Sequence, residues 1–348
     1  MIKCARYLAV LGLATSTSAA ALGAYNVDPN SVSVSGLSSG GFMAAQLGVA
    51  YSDTFKTGFG VFAGGPYDCA RAQYYTMCMY NASPSITLPV YNMNSWSGNK
   101  IDPVSNLRNR KIYMQIGTAD TTVGPNVMRQ LQRQLANFAD EALTTYITTH
   151  GASHTFPTDF DASGNNQCGF ASSPFISNCG YDGAGAVLKW MYGDLAERNT
   201  GQLSGEIVSF DQTSSFGASG MDRTGYLYVP AACKDGSTVC KLHVALHGCQ
   251  QSYSKIGSKF IENTGYNKWA DTNNIIVLFP QAVPDYTIRL IWGGTLLPNP
   301  NGCWDWVGWY GHNADQKGGA QMTAIVNQVN QIISGYQAGN LALNNTVA

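Results

Sequence analysis

A serine between two glycines follows a strand-like segment near the start of the chain. Residues 31–45 read SVSVSGLSSGGFMAA, in which polar and apolar residues alternate as in a strand and then give way to small and apolar residues typical of a buried helix. A Gly-x-Ser-x-Gly turn between a strand and a helix exposes the serine hydroxyl as a nucleophile. Ser38 has Gly36 and Gly40 on its two sides, whereas Ser39 has a glycine only on its second side. We therefore predict Ser38 as the nucleophile, with a glycine-rich turn without chemistry as the alternative.

An acid and a histidine follow two later strands. The strand-like residues 111–116 lead into a loop that carries Asp120, and the β-branched residues 144–149 lead into a loop that carries His154. Alone, such residues are more often a turn cap and a structural histidine. The order serine, aspartate, histidine, each just beyond a strand, is that of α/β-hydrolases and predicts a triad in which the histidine activates the serine. His150 is the weaker candidate, because it lies at the end of the strand and the sheet would hold it.

A second glycine turn lies in the later half of the chain. Residues 242–246 form an apolar, strand-like run that ends in His247-Gly248-Cys249. In α/β-hydrolases a His-Gly turn after an early strand supplies one backbone N–H of the oxyanion hole, and this turn normally precedes the nucleophile. Here it follows both the predicted nucleophile and the predicted histidine.

The position of this turn indicates a circular permutation. A helix is predicted over residues 315–334, and such a helix normally leads into the nucleophile strand, which here lies within residues 27–41. Residues from about 205 onward then correspond to the usual first half, a rearrangement that surface termini tolerate. We predict one circularly permuted α/β-hydrolase domain over residues 21–348, with helices on both faces of a mostly parallel sheet. The alternative is two domains divided near residues 201–205, the second a binding module, but the first would then have too few strands for a covered parallel sheet.

The composition is that of a globular protein with few charges. The chain has 348 residues, of which 45% are hydrophobic and 12% charged, and its formal net charge is -1. A charged fraction of about 25% is usual. Because there is no basic run, nucleic acid and acidic lipid are not expected as partners.

Residues 1–20 are typical of a secretory signal peptide. Lys3 and Arg6 precede an apolar segment at residues 7–14, and small residues follow through 18–20. The apolar segment is too short to span a bilayer, and no later stretch comes near 18 uninterrupted apolar residues. We therefore predict a secreted protein with no membrane partner.

The cysteines are typical of an oxidising compartment. Removal of Cys4 with the signal peptide would leave eight of the nine cysteines, an even number suited to disulfides. Closeness in sequence predicts the pairs Cys69–Cys78, Cys168–Cys179 and Cys233–Cys240, which leaves Cys249 with Cys303. A metal site would need a Cys-x-x-Cys pair or a histidine cluster, and the sequence has neither. Asn81 and Asn344 begin N-glycosylation sequons, which matter only in a eukaryotic host.

These motifs together resemble one enzyme family. The Gly36-Leu37-Ser38-Ser39-Gly40 turn, Asp120, His154 and the late turn at 246–249 are similar to those of the secreted poly(3-hydroxybutyrate) depolymerases, and the likeness is greatest to the fungal single-domain, circularly permuted members. It covers essentially the whole mature chain, including the aromatic segment 303–310.

The resemblance implies a function and a site. It implies hydrolysis of poly(3-hydroxybutyrate), or related short-chain polyhydroxyalkanoates, to oligomers and monomers through an acyl-enzyme, by the same triad and with no metal or organic cofactor. The backbone N–H groups of Ser39 and Cys249 would form the oxyanion hole, and Trp306 would line the crevice that holds the polymer. The partner is then a solid polyester, bound by the catalytic domain's own face, and the enzyme is expected to be a monomer.

Two other functions remain open at this point. A soluble-ester hydrolase, such as a cutinase-like, feruloyl or acetyl esterase, would use the same triad with a smaller pocket. A polymer-binding protein without activity would need no triad. Trp306 could also be a core residue that packs beside the Cys303 disulfide.

Overall fold

The computed structural model describes residues 19–71 and 73–337. Most of the predicted signal peptide, Cys4 and the sequon at Asn344 therefore lie outside the described residues. Within these two ranges, every helix is too short or too polar to cross a bilayer.

Thirteen strands and eight helices make up the regular structure of this part of the chain. The strands are β1 Val27–Leu37, β2 Gly58–Phe62, β3 Lys111–Gly117, β4 Thr144–Thr149, β5 Phe156–Thr158, β6 Asn166–Gln167, β7 Ile176–Asn178, β8 Glu206–Asp211, β9 Thr224–Val229, β10 Cys240–Leu246, β11 Ile275–Phe279, β12 Asp285–Leu290 and β13 Leu296–Asn299. The helices are α1 Ser39–Ala50, α2 Thr87–Trp96, α3 Pro125–Leu135, α4 Gly183–Tyr192, α5 Tyr253–Ile256, α6 Lys259–Asn263, α7 Tyr266–Asn273 and α8 Ala320–Ile333.

Strands from both halves of the chain share one eight-stranded sheet, in the order β4-β3-β2-β1-β10-β11-β9-β8. All neighbours pair in parallel except β9, which runs antiparallel to β8 and β11. The predicted nucleophile strand β1 lies near the middle, between the earlier strands on one side and the later strands on the other. The sheet is therefore mostly parallel, as predicted, and its strands β2 and β11 are wholly apolar and buried because both faces are covered.

Helices cover both faces of this sheet. A Cβ added to Gly48 of α1 would lie 2.1 Å from the ring of Phe59 in β2, whereas a Cβ added to the next strand residue, Gly60, would lie 2.6 Å from Val187 of α4. Because successive strand residues point to opposite faces, α1 and α4 lie on opposite sides of the sheet.

The last helix leads to the first strand in space. The Tyr25 N–H, just before β1, donates to the Ile332 carbonyl of α8 at 2.8 Å. The helix that normally precedes the nucleophile strand thus lies against its entry, although it is last in the chain. With the strand order, this contact confirms the predicted circularly permuted α/β-hydrolase fold.

Two segments differ from their sequence-based interpretation. Residues 66–110 show no clear hydrophobic period, and their cysteine, tyrosine, proline and asparagine residues predict a surface excursion. Instead, this segment contains α2 and packs against the body of the protein: Tyr67 and Met93 are buried, and the Asn92 amide donates to Asp68 at 2.6 Å. The sequence after β11 predicts an aromatic loop, but this segment contains the β12–β13 hairpin. The cysteines are joined as Cys69–Cys78, Cys168–Cys179, Cys233–Cys240 and Cys249–Cys303, the pairs that the sequence predicts.

Candidate active site

Ser38 occupies a strained position between β1 and α1. Its φ of 57° and ψ of -121° lie outside the usual regions for a residue with a side chain. Two backbone hydrogen bonds hold it there: its N–H donates to the Phe62 carbonyl at 2.9 Å, and its carbonyl accepts from the Phe42 N–H at 2.9 Å. The side chain is partly exposed and lines the main cleft.

The glycines of this turn are required by close backbone contacts. A Cβ on Gly36 would lie 2.3 Å from the Gly40 carbonyl oxygen, and a Cβ on Gly40 would lie 2.4 Å from the His247 carbonyl oxygen. No side chain fits at either position. This is the spatial reason for the Gly-x-Ser-x-Gly spacing around Ser38.

The neighbouring Ser39 has a different environment. It is the first residue of α1, it is buried, and its hydroxyl accepts from the Trp304 N–H at 3.3 Å. Of the two serines, Ser38 therefore has the accessible hydroxyl, in agreement with the choice made from the flanking glycines.

Asp120 and His154 are joined by a hydrogen bond. His154 Nδ1 lies 2.7 Å from Asp120 Oδ2, and both side chains are buried. The other carboxylate oxygen, Oδ1, accepts from the N–H groups of Thr122 and Val123, at 2.8 and 3.0 Å. The aspartate thus caps its own turn and also orients the histidine, so the two interpretations of its sequence position both hold.

His154 reaches the cleft beside Ser38, whereas His150 is exposed in the turn after β4 and is absent from the cleft lining. Because Asp120 faces Nδ1, the Nε2 atom of His154 is the one left to face a substrate. Among the hydrogen bonds of the described residues, none joins the Ser38 hydroxyl to His154. Such bonds are often long in enzymes without substrate and shorten when substrate binds.

Backbone N–H groups lie beside Ser38 on two elements. The Ser39 N–H is at the start of α1, where helical N–H groups have no partner within the helix. The turn after β10 lies on the other side: a Cβ on Gly248 would be 3.2 Å from Ser38 Cβ, and Gly248 and Cys249 both line the cleft. The sequence-predicted oxyanion residues are therefore brought together next to the predicted nucleophile.

The cleft has a volume of about 500 Å³, and an aromatic wall formed by Trp306 and Tyr75 lines part of it. Trp306 stacks on Phe42 of α1, with ring centroids 4.3 Å apart and an interplanar angle of 14°. Tyr75 packs edge-on against Trp306, with ring centroids 6.4 Å apart. Trp306 is 7% exposed and still lines the cleft. It is thus both a packing residue and a cleft residue.

A buried carboxylate that the sequence analysis did not identify holds this wall. Asp305 accepts from the backbone N–H groups of Val307, Gly308, Trp309 and Tyr310, at 2.7 to 3.2 Å. Burial raises the pKa of Asp305 to about 6, while these four hydrogen bonds act to lower it. The only sequence signal would have been an acid among three tryptophans and one glycine at 304–309.

The disulfide Cys249–Cys303 connects the oxyanion turn to the aromatic wall. Within residues 19–71 and 73–337, no group of three or more histidine, cysteine, aspartate or glutamate side chains is arranged to hold a metal ion.

Comparisons with known proteins identify a family by sequence. The chain is 70% identical over 331 residues to a polyhydroxybutyrate depolymerase of Talaromyces funiculosus, covering 95% of this chain and 97% of the relative. It is 41% identical to a poly(3-hydroxybutyrate) depolymerase of Delftia acidovorans, of which it spans 65%. No family model matches the chain.

Solved structures give the same result. The crystal structure of a PHB depolymerase from Penicillium funiculosum superimposes with a TM-score of 0.91 at 71% identity, over 91% of this chain and all of that one. A serine-to-alanine variant of a PHB depolymerase in complex with an R3HB trimer gives the same TM-score and identity. By fold and by identity across nearly its whole length, the chain belongs to the polyhydroxybutyrate depolymerase family.

Proposed function

We propose that this protein is a serine carboxylic-ester hydrolase that cleaves poly(3-hydroxybutyrate) through an acyl-enzyme on Ser38. The observation that carries the proposal is the meeting, in one cleft, of a partly exposed serine in a strained turn with a histidine oriented by a buried aspartate. The names of the relatives supply the substrate: they are depolymerases of polyhydroxybutyrate, and one was solved with an R3HB trimer.

In the proposed mechanism, His154 Nε2 removes the proton of the Ser38 hydroxyl as the oxygen attacks an ester carbonyl. Asp120 keeps the proton on Nδ1 and stabilises the imidazolium that forms. The imidazolium then protonates the leaving alcohol. Water releases the acyl group by the same route, with His154 again as the base.

The assignment of the oxyanion donors rests on which N–H groups are already bonded. In the turn after β10, the Gly248 N–H donates to Gln251 Oε1 at 2.7 Å and the Gln250 N–H donates to the Asn301 carbonyl at 2.7 Å. The Cys249 N–H between them has no partner among the hydrogen bonds of the described residues. With the Ser39 N–H, it can receive the negative charge that develops on the carbonyl oxygen.

The polymer would be bound in two places. Its reacting ester would lie in the cleft against Trp306. The surrounding solid would contact exposed apolar side chains at the cleft mouth. Tyr286, Ile288 and Leu290 of β12 are all exposed, and Leu290 pairs with the exposed Leu296 of β13.

A second exposed segment continues this surface. It carries the exposed side chains Tyr74, Met77, Tyr80, Leu88 and Tyr91. The two segments touch, since a Cβ on Gly293 would lie 3.1 Å from the Gln73 carbonyl oxygen. Because a large apolar surface is a liability on a protein that meets only dissolved esters, the surface supports a solid polyester over a soluble substrate.

We further propose that the protein is secreted and acts as a single-domain monomer, as the sequence analysis expects. Four disulfides within the described residues support an oxidising destination.

The exposed sequon residue Asn81 uses its side-chain oxygen to accept from the Asn126 N–H at 2.8 Å, which leaves its amide nitrogen for a glycan in a eukaryotic host.

The experiment that tests the function combines labelling and turnover. The enzyme would be treated with a serine-reactive alkylphosphonate and mapped by peptide mass spectrometry. We expect one adduct, on Ser38, together with clearing of a poly(3-hydroxybutyrate) granule suspension by the unlabelled enzyme and loss of clearing after labelling. An adduct on Ser38 with cleavage of nitrophenyl butyrate but no clearing of granules would instead identify a soluble-ester hydrolase.

A further inference from the structure

The side chain of His247 lies behind the oxyanion turn. It is fully buried, and its ring packs against those of Trp304 and Phe260. His247 Nδ1 lies 2.7 Å from the carbonyl oxygen of Gly248, and the Ala282 N–H donates to His247 Nε2 at 3.0 Å. The ring thus bridges the oxyanion turn and the segment just after β11.

These two contacts fix where the ring proton lies. Burial lowers the pKa of His247 to about 4, so the ring is neutral at neutral pH, with one donor and one acceptor nitrogen. A backbone N–H can only donate, so Nε2 accepts from Ala282. The proton is therefore on Nδ1, which donates to the Gly248 carbonyl.

The Gly248 carbonyl and the Cys249 N–H belong to one peptide unit. A trans peptide is planar, and its C=O and N–H point in opposite directions. A bond that holds the carbonyl toward His247 therefore also directs the Cys249 N–H away from it, toward the cleft that Cys249 lines. Glycine resists such a peptide rotation least of all residues, so an external restraint on the carbonyl matters most here.

The same bond strengthens the donor. A hydrogen bond to a peptide carbonyl polarises the whole peptide and makes its N–H a better donor. The other side of Gly248 is already fixed, since its N–H donates to Gln251 Oε1, and the Gln251 amide in turn donates to the Pro174 carbonyl at 2.8 Å.

We propose that His247 is a positioning residue for catalysis: its Nδ1–H holds the Gly248–Cys249 peptide so that the Cys249 N–H faces the oxyanion. This inference rests on the proposed oxyanion hole, and it adds a residue that never contacts substrate. It predicts that the bond to Gly248, rather than the bond to Ala282, determines the rate.

Two amide substitutions separate the two bonds. The side-chain nitrogen of Asn in His247→Asn can occupy the place of Nδ1 and keep the bond to Gly248. The side-chain oxygen of Gln in His247→Gln can occupy the place of Nε2 and keep only the bond to Ala282. Both variants are expected to be less stable than the wild type. A difference in rate between them therefore reports the bond that each one keeps, and each variant is the control for the other.

The readout is hydrolysis of nitrophenyl butyrate and inhibition by butylboronic acid, whose serine adduct is tetrahedral. Complete loss of an oxyanion donor costs about 100- to 1,000-fold. For a misdirected donor we expect His247→Gln to lose about 10- to 100-fold in kcat, with KM within about 2-fold and boronate affinity weakened by the same factor as kcat. We expect His247→Asn to stay within about 3-fold of the wild type.

Equal losses in the two variants, or no loss of kcat in His247→Gln, would overturn the proposal. In case a variant does not fold, ¹⁵N-histidine labelling of the wild type provides a second test: the Nδ1–H tautomer of His247 is expected, and the Nε2–H tautomer would also overturn it. Failure of the proposed function itself is distinguishable, because Ser38→Ala would then keep its activity.

Discussion

The two sides of the cleft are built in different ways. The catalytic wall, which carries the proposed triad of Ser38, Asp120 and His154, stands beyond the carboxyl ends of β1, β3 and β4 and is positioned by backbone geometry. The aromatic wall, formed by Trp306 and Tyr75 with the β12–β13 hairpin beyond it, is held by a disulfide, a stacked ring and the single carboxylate of Asp305. The sheet therefore fixes the proposed reacting groups, whereas a few long-range contacts fix the surface proposed to meet the polymer.

The largest effect is expected within the catalytic wall. Ser38→Ala should lower kcat about a millionfold, as loss of the serine does in a comparable triad. Ser39→Ala is the matched control and should stay within about 10-fold, because only its hydroxyl bond to the Trp304 N–H is lost. The measurement is hydrolysis of nitrophenyl butyrate. An inactive Ser39→Ala beside an active Ser38→Ala would contradict the assignment.

The link between the two walls should have the next largest effect. Removing the disulfide in a Cys249→Ser, Cys303→Ser double variant frees the oxyanion turn and should lower kcat by about 100-fold. It should also lower the free energy of unfolding by about 4 kcal/mol, given a loop of 54 residues.

The control for this experiment is the Cys233→Ser, Cys240→Ser double variant, whose disulfide lies away from the cleft and which should lose stability but keep kcat. Calorimetry and ester hydrolysis would be measured on both variants. If the Cys249–Cys303 variant loses stability alone, the disulfide does not hold the turn in its active geometry.

Substitutions in the β12–β13 hairpin, beyond the aromatic wall, should affect binding to solid polymer without affecting hydrolysis of a soluble ester. The triple variant Tyr286→Ser, Ile288→Ser, Leu290→Ser removes apolar area that would contact the solid, and adsorption to granules should weaken by about 10-fold or more. Hydrolysis of nitrophenyl butyrate should stay within about 2-fold. Ile207→Ser, at an exposed position on the edge strand β8, is the control and should alter neither adsorption to granules nor hydrolysis of nitrophenyl butyrate. Unchanged adsorption by the triple variant would place the adsorbing surface elsewhere.

The smallest effect concerns pH and stability. The folded-state pKa of His247 is about 4, below its ordinary value of 6.5, because burial disfavours the charged ring. Between these values the unfolded chain binds a proton that the folded protein does not, so His247 contributes stability that is present above pH 6.5 and is lost as pH falls toward 4.

This loss of stability at low pH should appear when the wild type is compared with His247→Asn. The stability advantage of the wild type over His247→Asn should narrow by up to about 1.4 kcal/mol from pH 6.5 to pH 5.5. Urea denaturation at both pH values is the measurement, with His150→Asn, at an exposed position, as the control that should show no such change. A constant difference would mean that His247 is not held neutral.

The catalytic wall was predictable from the sequence because its requirements are local. Gly36 and Gly40 are required by backbone contacts of 2.3 and 2.4 Å, and the loops after β3 and β4 directly follow recognisable strands. The order of the segments was enough to infer the permutation, since each strand keeps its place in the sheet.

The aromatic wall was predictable only in part, because its requirements are long-range. Asp305 bonds four N–H groups in an irregular loop, and no periodicity marks it. The hairpin was missed because its apolar residues face solvent instead of a core. Residues 66–110 pack through scattered buried side chains such as Tyr67 and Met93 and through single polar bonds such as Asn92 to Asp68, which leave no repeat in the sequence.

The place of β1 in the sheet has a consequence for synthesis. One neighbour, β2, follows soon after it, but on its other side Gly36 pairs with Leu246, so the strand that carries the nucleophile is completed by one from the last third of the chain. Contacts so distant in sequence form late in folding. A nascent chain in which Ser38, Asp120 and His154 have already been synthesised still lacks the Cys249 N–H. We therefore expect no esterase activity before β10 has been translated and has paired with β1.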